Sequence, residues 1–379
     1  MLVLNEEERM LADSAKEFIQ DLSPIAAQRE LRDNPNADKF DQNVWQQVIE
    51  MGWPAMPFAE EYEGFDFSAK GLAVIFEQLG SNLCALPMLS SVVLAGGLIE
   101  RHATQEHKKE LLPSIISGQL RLAVALDEGA HHNPANIQTT FEETEAGYTV
   151  SGTKTMVIDA NGADGFVVVA RAKDSDAYRL FYLASDTSNI NLSARELIDS
   201  RNYAQVSLAD VNVAKSALLS SAELSLDDLQ QSLDVARCCV AAEILGACQN
   251  LFDTTVEYLK TRVQFAAPIG SFQALQHRAA WLYSELEVAR SCVLHAAESI
   301  DKAKAEQLSP EKLAKAVSLA MYKVSVMADK VSSEAVQMHG GIGVTDELDI
   351  GLLLKRVRVA QAILGDRAYH QQRYAQIVL

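Results

Sequence analysis

The sequence has few cysteines and no pairing pattern among them. Its five cysteines include no CxxC pair, and their odd number argues against a disulfide framework. Four of them lie in strongly helical, apolar stretches, where a small buried thiol is the expected role. The cysteines are Cys84, Cys238, Cys239, Cys248 and Cys292.

Cationic charge is also scarce. The 33 Lys and Arg are outnumbered by 51 Asp and Glu, which gives a formal net charge of −18. Nucleic acids and anionic membranes need a cationic surface, so this charge disfavours both as partners. No apolar run predicts a membrane span, and the start, MLVLNEEERM, enters an acidic amphipathic helix rather than a secretory signal. We expect a soluble cytoplasmic protein without membrane insertion.

The hydrophobic pattern divides the chain into three parts. With 379 residues, 48% of them hydrophobic, the chain is long enough for two or three packed units. Helical spacing dominates residues 1–118 and 223–379, and short alternating or β-branched segments dominate residues 119–222. Within the last part, a capping box at Ser225 and Asp228 and the Ser309-Pro310 pair predict helix starts, and Leu348–Val378 predicts one final helix. We predict an α+β protein that is mainly α, with an N-terminal helical domain, a middle antiparallel β-domain and a C-terminal helix bundle.

The middle part contains no helical pattern between its β segments. Seven short segments follow one another within about a hundred residues, separated by Gly, Asp and Asn. This arrangement disfavours a parallel Rossmann sheet, in which helices alternate with strands. It is typical of a small antiparallel sheet or barrel.

The stretch Tyr258–Arg278 reads as two helices joined by a turn that contains Pro268 and Gly270. Polar and aromatic residues flank the turn. The rigid donor fork of an arginine suits a phosphate, although a structural helix hairpin with a satisfied arginine has the same pattern. The flanking residues are Arg262, Gln264, Phe265 and Gln273.

A second glycine-rich stretch, Gln337–Thr345, reads QMHGGIGVT and ends a long helical pattern. It is not GxGxxG and follows a helix rather than a strand, so it is not a dinucleotide fingerprint. Taken alone it predicts a helix C-terminus. Its glycines also permit close approach of the backbone to a ligand or to another chain.

Five landmarks, in order and at the right spacing, resemble the acyl-CoA dehydrogenase family over nearly the whole chain. They are GWPAMPFAEEYEGF, ALDE, SGTKTMVIDANGAD, YLKTRVQFAAPIGSFQ and QMHGGIGVT. The resemblance implies a helical domain, a middle β-domain and a C-terminal four-helix bundle. It also implies that FAD accepts a hydride from the β-carbon of an acyl-CoA thioester while a carboxylate removes the α-proton, which yields a trans-2-enoyl-CoA.

The resemblance also implies cofactor residues and partners. Arg262, Phe265 and Gln273 match residues that contact the FAD of a neighbouring subunit. Gln337 and Gly341 match residues that hold the adenosine–pyrophosphate part of the same cofactor. The family pattern therefore predicts a dimer or tetramer, with an electron-transfer flavoprotein as a typical electron acceptor.

The middle part departs from the family pattern. Relatives carry Thr-Glu-Pro and then Gly-Ser-Asp beside the flavin ring, whereas this chain has Asp127-Glu128-Gly129. The family's Trp-x-Thr, which lies against the flavin, is Met156-Val157-Ile158 here. Both changes predict fewer polar contacts to the flavin from this chain. Glu128 and His131 could ligate a metal, but a metal site needs three or four ligands and no second such pair accompanies them. We therefore expect a solvated loop and no metal site.

The catalytic base also departs from the family pattern. The two positions that relatives use hold Leu364, before Gly365, and Ala236, before Arg237. Glu243 is the predicted substitute, because it lies almost two helical turns beyond Ala236 among small apolar residues. Such surroundings raise the pKa of a carboxylate, which suits a general base near neutral pH.

Each of these site predictions has an alternative. Glu243 is equally interpreted as a structural glutamate paired with a Lys or Arg from another helix. Asp366 is the second candidate base. Arg237 matches a family arginine near the CoA-binding side and is the predicted substrate-binding residue, although a structural ion pair is equally compatible.

Three functional hypotheses follow. The first is an FAD-dependent acyl-CoA dehydrogenase, and the motif AAE-x-LG with a later LGD resembles a bacterial subgroup that acts on bulky acyl-CoAs, including steroid side-chain thioesters. The second is a catalytically silent subunit that completes the FAD site of a homologue in an α2β2 assembly. The third is a flavin oxidase or monooxygenase on the same fold.

Overall fold

The computed structural model describes residues 4–34, 39–173, 175 and 177–378. The α-helices of these residues, in chain order, are α1 (Glu6–Leu22), α2 (Ile25–Asp33), α3 (Gln42–Glu50), α4 (Ala69–Ser81), α5 (Gly97–His102), α6 (Gln105–Ile116), α7 (Leu226–Ser232), α8 (Asp234–Thr261), α9 (Gln273–Lys304), α10 (Pro310–His339), α11 (Ile350–Ala360) and α12 (Arg367–Val378). A π-helix, Met88–Gly96, precedes α5.

The strands lie between α6 and α7, apart from a short hairpin after α8. They are β1 (Leu122–Ala125), β2 (Thr140–Glu143), β3 (Gly147–Ile158), β4 (Gly165–Ala172), β5 (Tyr178–Ala184), β6 (Ile190–Ala194), β7 (Tyr203–Ala214), β8 (Val263–Gln264) and β9 (Ala267–Pro268). The order helices, sheet, helices confirms the predicted fold class.

The chain forms two compact units. The helical unit comprises Met1–Arg29, Ala69–Cys84 and Arg237–Leu379. The sheet unit comprises Glu30–Ser68 and Ala85–Ala236. The division into domains 1–118, 119–222 and 223–379 stays a prediction.

The sheet unit is built on one mixed sheet in the order β1-β4-β2-β3-β7-β6, with β5 paired to β4. Most of its pairings are antiparallel, as predicted, but β1 and β2 each run parallel to β4. Its core is formed by inward-facing apolar residues, which include Val150, Phe166, Phe181 and Val206. The register between β3 and β7 shifts between Lys154 and Val157, and Met156 there has a positive φ of 53°.

Within the helical unit, α4 and α8 approach each other at two glycines. A Cβ on Gly80 would lie 2.0 Å from the carbonyl oxygen of Glu243, and one on Gly246 would lie 1.8 Å from that of Glu77. A side chain at either glycine would therefore separate the helices. This close contact fixes the backbone of α8 at the residue predicted to be the base.

Local signals explain several helix limits. Ser225 and Asp228 form the predicted capping box, although the helix that it starts ends at Ser232 and α8 follows. The predicted final helix, Leu348–Val378, is interrupted between α11 and α12, where Leu364 has a φ of 55°. A positive φ lies outside the right-handed helical region, so one continuous helix cannot run through Leu364.

The helical stretch Leu226–Thr261 is long and apolar enough to cross a membrane by length and composition, contrary to the expectation from the sequence. However, 78% of its most apolar window is buried inside the protein. Such burial is typical of the core helix of a folded bundle.

Candidate functional site

Glu243 lies in an ion pair with Arg356. Its Oε1 accepts a hydrogen bond of 2.7 Å from Arg356 Nε, and each side chain is 9% exposed. Glu243 projects from α8 and Arg356 from the buried face of α11. The two residues are 113 positions apart in the chain.

This ion pair corrects one expectation about Glu243. The sequence placed its carboxylate among small apolar neighbours, isolated from other charges. The guanidinium of Arg356 removes that isolation, because a nearby opposite charge stabilises an ionised carboxylate. The geometry matches the alternative prediction, a glutamate paired with an arginine of another helix.

Arg237 is completely buried and supports the turn between α11 and α12. Its Nε donates to the carbonyl oxygen of Leu364 at 3.2 Å, and a terminal nitrogen donates to the hydroxyl of Tyr369 at 3.3 Å. The guanidinium carbon lies 5.7 Å from the centre of the Tyr369 ring. These contacts are intramolecular, so a role in substrate binding stays a prediction.

Asp366, the second candidate base, caps a helix. Its Oδ1 accepts a hydrogen bond of 2.8 Å from the backbone N–H of Tyr369, in the first turn of α12. This is the usual bond of an N-cap aspartate. The capping bond gives Asp366 a structural role that the sequence did not suggest.

The hairpin after α8 holds Phe265 at its tip. Phe265 and Ala266 have φ values of 53° and 63°, as in type I′ hairpin turns, which favour Asn and Gly. Phe265 is 90% exposed, and its ring packs edge-on against Phe272 at 6.2 Å between centroids. A strained turn that presents an exposed aromatic ring indicates a contact outside this chain.

The backbone requires glycine at two positions of Gln337–Thr345 for different reasons. Gly340 has a φ of 66°, and a Cβ on Gly343 would lie 2.8 Å from the carbonyl oxygen of Val336. Gly341 has neither constraint, since among the described residues no atom beyond its own chain neighbours lies within 4 Å of the position of a Cβ. The backbone of Gly341 is therefore open to a ligand or to another chain.

The two stretches contact each other near the C-terminal ends of α8 and α10. Tyr258 of α8 stacks on His339 at the end of α10, with 4.4 Å between ring centroids, and its hydroxyl donates to the carbonyl oxygen of His339 at 3.3 Å. The predicted cofactor residues of the two stretches are all exposed on the helical unit. They are Arg262, Phe265, Gln273, Gln337 and Gly341.

In the sheet unit, Glu128 is paired rather than solvated, which corrects the predicted loop. Its Oε1 lies 2.7 Å from Nζ of the fully buried Lys154. The same carboxylate accepts from the backbone N–H groups of Gln138 at 2.6 Å and Thr139 at 2.9 Å. Burial lowers the pKa of Lys154 to about 8, against the opposing effect of the Glu128 charge. His131 is exposed as expected.

The flavin-facing segment predicted from the sequence offers apolar side chains. Met156 is 38% exposed and Ile158 is half-buried, and neither side chain has a hydrogen-bond donor. Over the described ranges 4–34, 39–173, 175 and 177–378, no cluster of three or more His, Cys, Asp or Glu is placed to hold a metal ion.

Sequence reasoning missed Arg356 as the partner of Glu243. A local signal exists, because Arg356 shares the buried face of α11 with Leu352, Leu353 and Val357. An arginine on an otherwise apolar face needs a buried acceptor. The signal does not say which acceptor, since that depends on the packing of distant helices.

Comparisons with known proteins agree with this architecture. Residues 226–379 match the model of the acyl-CoA dehydrogenase C-terminal domain, and residues 5–119 match that of the acyl-CoA dehydrogenase N-terminal domain. The chain is 24% identical over 369 residues to short/branched chain specific acyl-CoA dehydrogenase, mitochondrial, of Rattus norvegicus, covering 95% of this chain and 83% of that protein.

Solved structures share the whole fold. The ChsE4-ChsE5 complex from Mycobacterium tuberculosis superposes with a TM-score of 0.89 at 24% identity, covering 100% of this chain and 98% of that chain. The Tcur3481-Tcur3483 steroid ACAD gives a TM-score of 0.85 at 26% identity and covers 98% of each chain. The two family models cover more than half of the sequence, and the chain belongs to the acyl-CoA dehydrogenase family of FAD-dependent oxidoreductases.

Proposed function

We propose that the protein catalyses α,β-dehydrogenation of an acyl-CoA thioester to a trans-2-enoyl-CoA, with Glu243 as the acceptor of the α-proton. The observation that carries this proposal is the buried carboxylate of Glu243 on α8, whose neighbours along the helix, Ala241, Ala242 and Ile244, are buried and apolar. Its pairing with Arg356 equally fits the structural alternative. Desolvation of two charges costs several kcal/mol per ion, and apolar replacements of such pairs are often neutral or stabilising, so the pair is weak evidence of a stabilising role.

The chemistry of Glu243 follows from its partner. A general base must be ionised before it accepts a proton, and the guanidinium of Arg356 stabilises that ionised form. Protonation of Glu243 removes the charge that attracts Arg356, which favours loss of the proton after each turnover. FAD, when bound, supplies the hydride acceptor.

The exposed stretches of the helical unit fit the adenosine–pyrophosphate half of FAD. Gln337 and Gly341 would hold that half, and the open backbone at Gly341 is the observation that supports this assignment. Arg262, Phe265 and Gln273 would contact the FAD of a neighbouring subunit, in keeping with the exposed, strained tip of the hairpin. The functional form would then be a dimer or tetramer.

We further propose a bulky acyl group as substrate, an electron-transfer flavoprotein as electron acceptor and a cytoplasmic location. The substrate proposal is supported by the AAE-x-LG motif and by the likeness to a steroid ACAD. The apolar residues Met156 and Ile158 support a hetero-oligomer, α2β2 in the simplest case, in which a homologous subunit supplies polar contacts to the flavin.

A second candidate function is a catalytically silent subunit of such a hetero-oligomer. It is favoured by the residues at the two family base positions, Ala236 and Leu364, neither of which can accept a proton. It is also favoured by the capping role of Asp366. In this case the chain would complete the FAD site of its partner through the hairpin and the glycine turn.

One experiment separates the two candidates. The protein, expressed alone and with a homologous partner subunit, is assayed for flavin absorbance and for acyl-CoA-dependent dye reduction. With Glu243 as base, Glu243→Gln should retain bound FAD and lose activity by at least about 100-fold, as expected for loss of a general base. Retained activity would remove Glu243 from the mechanism. Activity that requires the partner subunit and is unchanged by Glu243→Gln would support the silent subunit, whereas full activity and one flavin per chain in the protein expressed alone would rule it out.

Glu285→Gln is the matched control. Glu285 is paired with Lys330 at 2.6 Å within the same helical unit, and its side chain is 18% exposed. This variant also replaces one carboxylate of an interhelical ion pair, so it measures the general effect of such a change. It should keep wild-type activity.

A further inference from the structure

Three carboxylates directly follow the glycine turn that is proposed to hold the cofactor pyrophosphate. Asp346, Glu347 and Asp349 lie within four residues, in the loop between this turn and α11. Residues Gly340–Val344 form a 3-10 turn, so Asp346 lies on the order of 10 Å along the chain from Gly341. This spacing is slightly longer than the Debye length at physiological salt, about 8 Å, so repulsion at this distance is partly screened there and stronger at low salt.

Arg29 of α2 binds two of these three carboxylates. One terminal nitrogen lies 3.0 Å from Oδ2 of Asp346. Its Nε and its other terminal nitrogen donate to Oδ1 of Asp349 at 3.1 Å and 2.9 Å. The Arg29 side chain is 22% exposed, and one guanidinium thus joins both ends of the acidic loop to an N-terminal helix of the same unit.

We propose that Arg29 is a positioning residue for the cofactor: it fixes the acidic loop behind the glycine turn and offsets part of the negative charge that would repel the FAD pyrophosphate. This inference rests on the proposed cofactor role of Gln337 and Gly341. Arg29 does not need to touch FAD in this role. Its effect on FAD binding is transmitted through Asp346 and Asp349. The effect has a geometric part, which fixes the loop, and an electrostatic part, which reduces the negative charge of the loop.

The two parts have separable consequences. The geometric part requires the fork of an arginine, because a lysine ammonium is a point charge that cannot bind both carboxylates in the same way. The electrostatic part requires only that the carboxylates be neutralised. Removal of their charge should therefore compensate for removal of Arg29, whereas a purely structural tie would be lost in both cases.

The test is titration of the assembled, FAD-depleted protein with FAD, followed by flavin fluorescence at low and at physiological salt. Arg29→Ala should weaken FAD binding about two- to fivefold, since exposed ion pairs contribute up to about 1 kcal/mol, and that energy corresponds to about a fivefold change in affinity. The loss should be larger at low salt. Arg29→Lys should restore part of the affinity, and Arg29→Ala combined with Asp346→Asn and Asp349→Asn should restore most of it.

Arg32→Ala is the control on the same helix. Arg32 pairs with the adjacent Asp33 at 2.7 Å and should leave FAD affinity unchanged. Hydrogen exchange of residues 340–349 in the FAD-free protein adds an independent readout, and it should be faster in Arg29→Ala than in Arg32→Ala.

The outcomes distinguish this inference from the proposed function. Wild-type FAD affinity in Arg29→Ala would overturn the positioning role alone. A lowered melting temperature, with unchanged FAD affinity and no rescue by the asparagine substitutions, would identify a structural tie and overturn it as well. Failure of the wild-type assembly to bind FAD would overturn the proposed cofactor role of the glycine turn and, with it, this inference.

Discussion

Each unit of the protein buries an ion pair, and the surroundings of the two pairs differ. In the sheet unit, the Glu128 carboxylate binds Lys154 and two backbone N–H groups, and the Lys154 ammonium also donates to the carbonyl oxygen of Leu126 at 3.0 Å. In the helical unit, Glu243 and Arg356 join two helices through their side chains. Bonds to backbone groups of two loops give the first pair a structural reason. The second pair has a chemical reason under the proposed function.

The comparison shows why burial of a carboxylate is a weak indicator of a base by itself. Both glutamates are buried and both are paired with a cation. The contacts described above distinguish them by the elements that they join: Glu128 binds backbone groups of a loop as well as a cation, and Glu243 binds an arginine of another helix. Predictions of function from buried charge therefore need the partners as well as the exposure.

The largest expected effect is on the pair of the sheet unit. Lys154→Met leaves Glu128 buried without its cation, and loss of one partner of a buried pair costs about 3–5 kcal/mol. Denaturant unfolding monitored by circular dichroism measures this cost.

Lys173→Met is the control for this substitution. Lys173 is paired with Glu142 in the same unit, but its side chain is 64% exposed, so the expected cost is below about 1 kcal/mol. Equal costs for the two variants would contradict the structural role of the Lys154 pair.

The next effect concerns the pair of the helical unit. Arg356→Leu alone should destabilise the protein by about 3–5 kcal/mol, because it leaves the Glu243 carboxylate buried without the Arg356 cation. Arg356→Leu combined with Glu243→Leu should be close to the wild type in stability or more stable, since apolar residues replace both charges. The same double variant should have no dehydrogenase activity.

Thermal unfolding and the dye-reduction assay test this prediction on the same samples. A double variant as unstable as Arg356→Leu would show that the pair is required for folding. The contrast between the two pairs would then disappear.

Local signals predicted much of the fold, and distant contacts explain what they missed. The Ser309-Pro310 signal placed the start of α10 correctly, and the capping box at Ser225 is present. The ion pair of Glu243 joins residues 113 positions apart, and no local pattern encodes such a partner. Gly365 is a local signal for the interruption before α12. The helical spacing of apolar residues on both sides of it nevertheless favoured one continuous helix.

The candidate site was predictable to a different extent in its two parts. The predicted cofactor residues come from motifs of glycine and arginine at fixed spacing, which can be read locally, and their cofactor role stays a prediction. The environment of Glu243 was not, because the charge that faces α8 comes from α11. Electrostatics depend on which helices are neighbours, whereas a turn depends on its own residues.

The smallest expected effect is the change in the free energy of unfolding with pH that Lys154 causes. Burial lowers the pKa of Lys154 to about 8 in the folded protein, below its ordinary value of 10.5. Between these two values the unfolded chain binds more protons at this residue than the folded chain does. The contribution of Lys154 to the free energy of unfolding therefore rises with pH in this window, by up to about 1.4 kcal/mol per pH unit.

Measurement of the free energy of unfolding from pH 8 to pH 10 tests this sign. The difference between wild type and Lys154→Met should shift in favour of the wild type as the pH rises, because the variant has no amine to titrate. Lys173→Met, which removes a lysine whose side chain is 64% exposed, is measured in parallel as the control. A constant difference for Lys154→Met would mean that Lys154 keeps its proton in the folded protein. Its pairing with Glu128 would then outweigh its burial, and the two buried pairs would be electrostatically alike.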